Sequence, residues 1–113
     1  RLTHMDMWGR HILMDQTPRV AGIIDYGSTC ISDANYDFFP LVLDFGEAFA
    51  REALAAYGHP DPDRAVRNAP FYCAMDALAC WVDCLGDGFE KEAGECREYH
   101  RKALDVYARQ TAC

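Results

Sequence analysis

Two short apolar runs on either side of a turn constrain how this chain can begin to fold. Ile12-Leu13-Met14 and residues 20–24 flank Asp15-Gln16-Thr17-Pro18, a segment of turn formers. Runs of this length bounded by turn residues predict a β-hairpin. A hairpin sets its ends side by side, so the loop ahead of Ile12 meets the loop that follows Ile24. His4, Asp6 and His11 lie in the first loop, and Asp25-Tyr26-Gly27 forms the second. Two aspartates far apart in sequence are thereby brought into one neighbourhood. A carboxylate in a loop can take the proton of an attacking hydroxyl, and one at the end of an apolar strand can hold magnesium against phosphates. Together they are minimal equipment for phosphoryl transfer.

From about residue 37 the strand pattern gives way to helical spacing. Asp37 is expected to cap a helix whose first turn contains Pro40, where a missing N–H is harmless. A second helix is expected from Glu47 to Tyr57, with Phe49, Ala53, Ala56 and Tyr57 as its apolar face and Gly58 ending it. Asp61 and Pro62 read as N-cap and first helical position of the next segment. Phe71, Met75, Leu78, Val82 and Leu85 then share one stripe with Trp81 beside it, Pro70 starting or kinking the helix. Asp76 is the only charge between Phe71 and Val82, so this helix is predicted to be central and nearly surrounded by protein. Residues 90–109 alternate Glu, Lys and Arg and predict a last helix with a solvated face.

Composition narrows the function classes. The net charge of −7 argues against nucleic acid, whose binding rests on Lys and Arg, and suits a cationic ligand. No apolar run approaches the roughly 20 residues of a membrane span. The start Arg1-Leu2-Thr3-His4 has no signal-peptide pattern, so a cytoplasmic protein is expected. An initial Arg in place of Met points to a fragment or processed product. The six cysteines (30, 73, 80, 84, 96 and 113) form no C-x-x-C pair and no zinc-type Cys/His alternation. They are expected to be buried free thiols.

The stretch HMDMWGRHILMDQTPRVAGIIDYGSTCISDANYDF resembles the aminoglycoside phosphotransferases, antibiotic-resistance enzymes of protein-kinase-like fold. Their pattern is H-x-D-x-x-x-x-N/H-[IVL]-L, a hairpin, G-[IVL]-I-D-[FYW]-G and then D-x-x-x-D-F. Histidine at position 11, where kinase-like loops usually have asparagine, is similar to the 2''-phosphotransferase subgroup and to macrolide phosphotransferases. DFGEAFAREALAAYG is similar to the helical segment that follows in both. Asp25-Tyr26-Gly27 favours the aminoglycoside group.

The resemblance implies an α+β, mostly α fold, the C-terminal part of a kinase-like lobe, with a short β-hairpin followed by about four helices. Residues 1–35 would supply the catalytic loop, hairpin and metal-binding segment, and residues 36–113 a helical substrate-binding subdomain, as one structural unit. It implies Asp6 as catalytic base and Asp25 as Mg2+ ligand. His11 is either a second ligand of the metal–nucleotide group or a hydrogen-bond partner of Asp6. His4 and Gly27 would support the loops, Gly27 by allowing a bend that a β-carbon would obstruct. Asp33 and Asp37 match the following acidic pair, for which a structural capping role is expected.

An aminoglycoside presents ammonium groups, and Asp44, Glu47, Asp76 and Asp83 are candidate acids for them. Asp76, in so apolar a helix, could equally serve an internal partner. The donor would be ATP or GTP, yet the glycines make no G-x-G-x-x-G loop and no strand-borne lysine pattern is present. In the family these lie upstream, in a lobe absent from this sequence. The expected partners are therefore an aminoglycoside and that missing lobe, with no nucleic acid and no membrane. A macrolide or other small-molecule kinase fragment is the nearest alternative. A truncated remnant that binds or self-associates is the other.

Overall fold

The computed structural model describes residues 1–112, so Cys113 lies outside the described residues. The turn residues close the hairpin: the Asp15 carboxylate accepts the Thr17 N–H and hydroxyl, each at 2.8 Å. Strand β2 (Ile12–Met14) runs antiparallel to β3 (Val20–Ile23), with Ile12 opposite Ile23 and Leu13 opposite Gly22. Ile24 falls just outside β3, and its N–H donates to the His11 carbonyl at 3.0 Å. A second antiparallel pair, absent from the sequence expectations, joins β1 (Leu2–Thr3) to β4 (Cys30–Ile31).

Four helices follow: α1 (Asn35–Phe45), α2 (Glu47–Tyr57), α3 (Pro62–Gly86) and α4 (Glu90–Thr111). The fold is α+β and mostly helical, a short hairpin followed by four helices. Helix α1 starts two residues before Asp37, so Asp37 does not cap it and Pro40 sits beyond its first turn. The local start is made by Asp33, whose carboxylate accepts the Asn35 N–H at 3.0 Å. Such side-chain-to-backbone bonds two residues on are the usual way aspartate initiates a turn.

Helix α2 has the expected ends. Gly58 takes the left-handed conformation (φ 74°), and the His59 N–H returns to the Leu54 carbonyl at 2.9 Å, satisfying end carbonyls. Its buried face differs in phase from the expected one: Ala50 and Leu54 are buried, whereas Phe49 and Tyr57 are exposed. Leu41, Ala50, Leu54, Ala65 and Val66 form a core against which Met7, Ile12 and Phe38 pack. Complete burial of a leucine contributes about 1.5–3 kcal/mol. Leu54→Ala should therefore be among the most damaging changes here. Arg51 ties α2 to the start of α3 through ion pairs with Glu47 and Asp63.

Chain contacts define two compact units, Arg1–Val66 and a second beginning at Arg67. The boundary between these units falls inside α3, and the hairpin, α1 and α2 all belong to the first unit. Helix α3 is continuous through Pro70, and the Asp61 carboxylate caps it by accepting the Arg64 N–H at 2.9 Å.

In the second unit α3 buries Ala69, Cys73, Ala74 and Ala77, while Phe71, Met75, Val82 and Leu85 are exposed. The expectation that this helix is nearly surrounded is thus corrected. Small residues make up the buried side of α3, and of the larger stripe Phe71 still reaches the Tyr107 ring of α4. Helix α4 runs antiparallel to α3, as the His100 Nδ1 bond to the Ala74 carbonyl (2.7 Å) and the Phe71–Tyr107 ring contact require. Of the described cysteines only Cys73 is buried; Cys30 and Cys80 are exposed, and Cys84 and Cys96 are half-buried. All are free thiols, but packing explains Cys73 alone. Burial pushes its thiol pKa up, against a lowering hydrogen bond from Tyr99.

Candidate functional site

The hairpin ends do meet. His11 closes a 3-10 turn (Gly9–His11) directly before β2, and Asp25 follows β3 by two residues. Asp25 itself adopts a left-handed backbone, φ 67° and ψ 60°, just ahead of a second 3-10 turn (Tyr26–Ser28). Met5, immediately before Asp6, has the same φ of 67°. These are the only positive-φ residues other than glycine among the described residues. Such conformations cost free energy and persist where surrounding contacts over-determine them. Gly27 does not supply the bend: a β-carbon there would meet only Asp25 Oδ1, at an ordinary 3.7 Å. The tight backbone belongs to Asp25.

His11 stands between the two aspartates. Its Nδ1 is 2.8 Å from the Asp6 carbonyl and 3.3 Å from Asp6 Oδ2, while Nε2 is 3.5 Å from Asp25 Oδ2. A carbonyl oxygen only accepts, so Nδ1 carries the proton and Nε2 presents a lone pair. Arg10 Nε donates to that lone pair at 3.2 Å. The imidazole is buried, so its orientation is held by the surrounding protein. One ligand atom from each of Asp6, His11 and Asp25 fits within 4.8 Å of the others.

The loop around Asp6 is held from α1. Asp37 Oδ2 accepts the His4 N–H at 2.9 Å and Oδ1 accepts the Met5 N–H at 2.8 Å. Asp44 Oδ2 accepts the Gly9 N–H at 2.7 Å. A β-carbon on Gly9 would lie 2.9 Å from Phe45 Cζ, so any other residue there would displace the Phe45 ring. His4 is buried, donates from Nε2 to the Ile24 carbonyl at 3.0 Å, and packs on the Tyr26 ring at 4.6 Å. Ile24 is therefore gripped from both sides, by His4 at its carbonyl and by His11 at its N–H, and Asp25 follows it.

The candidate substrate acids divide between the two units. Asp44 is engaged with Gly9, and Glu47 is paired with Arg51 at 3.2 Å. Asp76 and Asp83 belong to the second unit. Arg10 was not anticipated: its guanidinium sits 3.4 Å from Asp6 Oδ1 and 5.6 Å from the centre of the Trp8 ring. Its spacing of four from Asp6 was the available signal.

The family model described as the phosphotransferase enzyme family matches residues 1–67, the segment that contains this whole arrangement. The chain belongs to that family. Two solved structures are similar to it. The GDP complex of wild-type aminoglycoside 2'-phosphotransferase-IIIa shares 31% identity at a TM-score of 0.77, over 96% of this chain and 36% of that one. The GDP complex of a point mutant of the same enzyme shares 29% at a TM-score of 0.80, over 98% of this chain and 38% of that one. The chain thus spans little more than a third of the length of the phosphotransferase structures it matches. No helix among the described residues is long and apolar enough to cross a membrane.

Proposed function

We propose that this chain is the acceptor and metal half of an antibiotic kinase. The whole protein would transfer the terminal phosphoryl group of ATP or GTP to an aminoglycoside hydroxyl, in the manner of the 2''-phosphotransferase subgroup. The observation that carries the reading is His11 lodged between Asp6 and Asp25, with a ligand atom from each within 4.8 Å. The GDP in both similar structures supports a nucleotide donor.

Asp6 is the base. Its Oδ1 and Oδ2 lie beside Arg10 and His11, and the loop that carries it is pinned at both ends, so the carboxylate is pre-positioned to orient a hydroxyl and take its proton. Asp25, with its side chain 60% exposed, offers anionic oxygen to a hard cation, which suits Mg2+. His11 Nε2 is a second, less preferred donor; its firmer role is to fix Asp6 through the backbone carbonyl and to face Asp25. When bound, magnesium would neutralise charge on the phosphates. Arg10 is placed to stabilise negative charge developing beside Asp6.

The test uses the whole protein that contains this segment. Asp6→Asn should cut kcat with aminoglycoside by at least about a hundredfold while leaving drug affinity within a few-fold, since general-base catalysis contributes roughly 10²–10⁴. Asp25→Asn should raise the Mg2+ requirement. Near-wild-type turnover in both variants would remove these assignments.

A second reading, a remnant that self-associates, is favoured by apolar exposure in the first unit. Leu2 is 74% and Ile31 85% exposed, opposite each other on β1 and β4. Sedimentation equilibrium of the 113-residue chain decides it: a dimer or higher assembly supports this reading, and a monomer at high concentration removes it.

A further inference from the structure

Three thiols converge in the second unit on the side chains of two helices. Cys80 and Cys84 are four residues apart on α3, hence on one face, and Cys96 reaches them from α4. Cys80 Sγ and Cys96 Sγ are 2.8 Å apart, and all three sulfurs lie within 4.8 Å of one another. A metal at about 2.3 Å from each of three thiolates sets the sulfurs roughly 3.8–4.0 Å apart, so the Cys80–Cys96 pair must open by about 1 Å, within reach of side-chain rotation, to make a coordination site. None of the three is buried in the core: Cys80 is exposed and the others are half-buried.

The surroundings favour a cation. Cys80 and Cys96 border a shallow cavity of about 360 Å3 with Asp76 and Glu95, and Glu92 is near enough to Cys84 to disfavour its thiolate. We infer that Cys80, Cys84 and Cys96 form a three-sulfur site for a soft, thiophilic metal cation, distinct from the Asp6–His11–Asp25 cluster. Thiolate sulfur selects such ions over the hard magnesium suited to Asp25.

Binding is a proton exchange. Three S–H bonds break, three metal–sulfur bonds form, and three protons pass to the buffer. Without the cation, Cys80 and Cys84 resist ionisation. Cys80 is raised first by its hydrogen bond with Cys96, and Cys84 first by burial and next by Cys80. Affinity should therefore rise with pH and fall in mild acid.

The probe is Cd2+, added to the reduced 113-residue chain without oxygen. One equivalent should give a sulfur-to-cadmium charge-transfer band in the ultraviolet. It should also protect Cys80, Cys84 and Cys96, but not Cys30, from alkylation as mapped by mass spectrometry. Cys96→Ser should weaken binding by more than the roughly 10- to 100-fold that loss of an outer-shell partner costs, whereas Cys30→Ser should leave it unchanged. Protection needs no variant, so it decides the matter even if Cys96→Ser fails to fold. Equal alkylation of the three thiols with and without Cd2+, or protection of Cys80 and Cys96 alone, overturns the three-sulfur site.

Discussion

Asp37 and Asp44 stand seven residues apart on α1, two helical turns on one face, and hold the backbone on either side of Asp6. Seven residues of helix rise about 10.5 Å, a fixed ruler along which the loop from His4 to Gly9 is laid. The Asp6 side chain is thus positioned by carboxylates that lie outside its own loop and need touch no substrate.

The clasp makes a direct prediction. Asp37→Ala leaves the His4 and Met5 N–H groups without their acceptor, and hydrogen bonds to charged groups contribute about 1.5–3 kcal/mol each. The melting temperature of the chain should fall by on the order of 10 °C, and the Met5 amide should lose protection in hydrogen exchange. Asp37→Asn, which keeps one acceptor oxygen, should lie between. An unchanged Met5 exchange rate in the alanine variant would show that the left-handed backbone at Met5 is held by something else.

The glycines separate in a way the motif alone does not suggest. Gly9→Ala puts a β-carbon 2.9 Å from the Phe45 ring and 3.0 Å from Asp44 Oδ2, so the ring and the carboxylate that holds the Gly9 N–H must give way. Overpacking of this kind costs about 1–3 kcal/mol. Gly27→Ala meets nothing closer than 3.7 Å and should stay within about 0.5 kcal/mol. Paired urea titrations check the contrast, and equal stability of the two variants contradicts it.

Much of this was readable from sequence because it depends on local chemistry. The hairpin follows from its turn residues, and the end of α2 from Gly58. What escaped depends on partners distant in the chain. Strands β1 and β4, two residues each, are too short to show any alternation, and Arg1 and Ser32 close them from outside. Asp44 reads as a free surface acid until Gly9 is seen against it. In α2 the small Ala50 beside Leu54 faces the core while the larger Phe49 does not, because closeness of helices selected size over hydrophobicity. Pro70 removes one backbone bond, yet α3 continues, since burial of Ala65, Val66 and Ala69 just before it outweighs that local loss.

Aminoglycoside binding by the chain alone should be weak and electrostatic. Asp44 and Glu47 already have partners, so attraction rests mainly on the net charge of −7. Calorimetric titration with gentamicin should show binding at low salt that fades at high salt. Without the nucleotide lobe, no phosphorylation by ATP or GTP is expected. Salt-independent binding would point to a formed drug site, and no binding at low salt would leave the drug class resting on family likeness alone.

Asp6, His11 and Asp25 are proposed to form one cation site, which paramagnetic NMR tests most directly. Mn2+ at low equivalents should broaden the ring resonances of His11 well before those of His59 and His100. Asp25→Asn should abolish that preference while leaving the fold intact. Equal broadening of all three histidines, or a His11 effect that survives Asp25→Asn, would contradict the site.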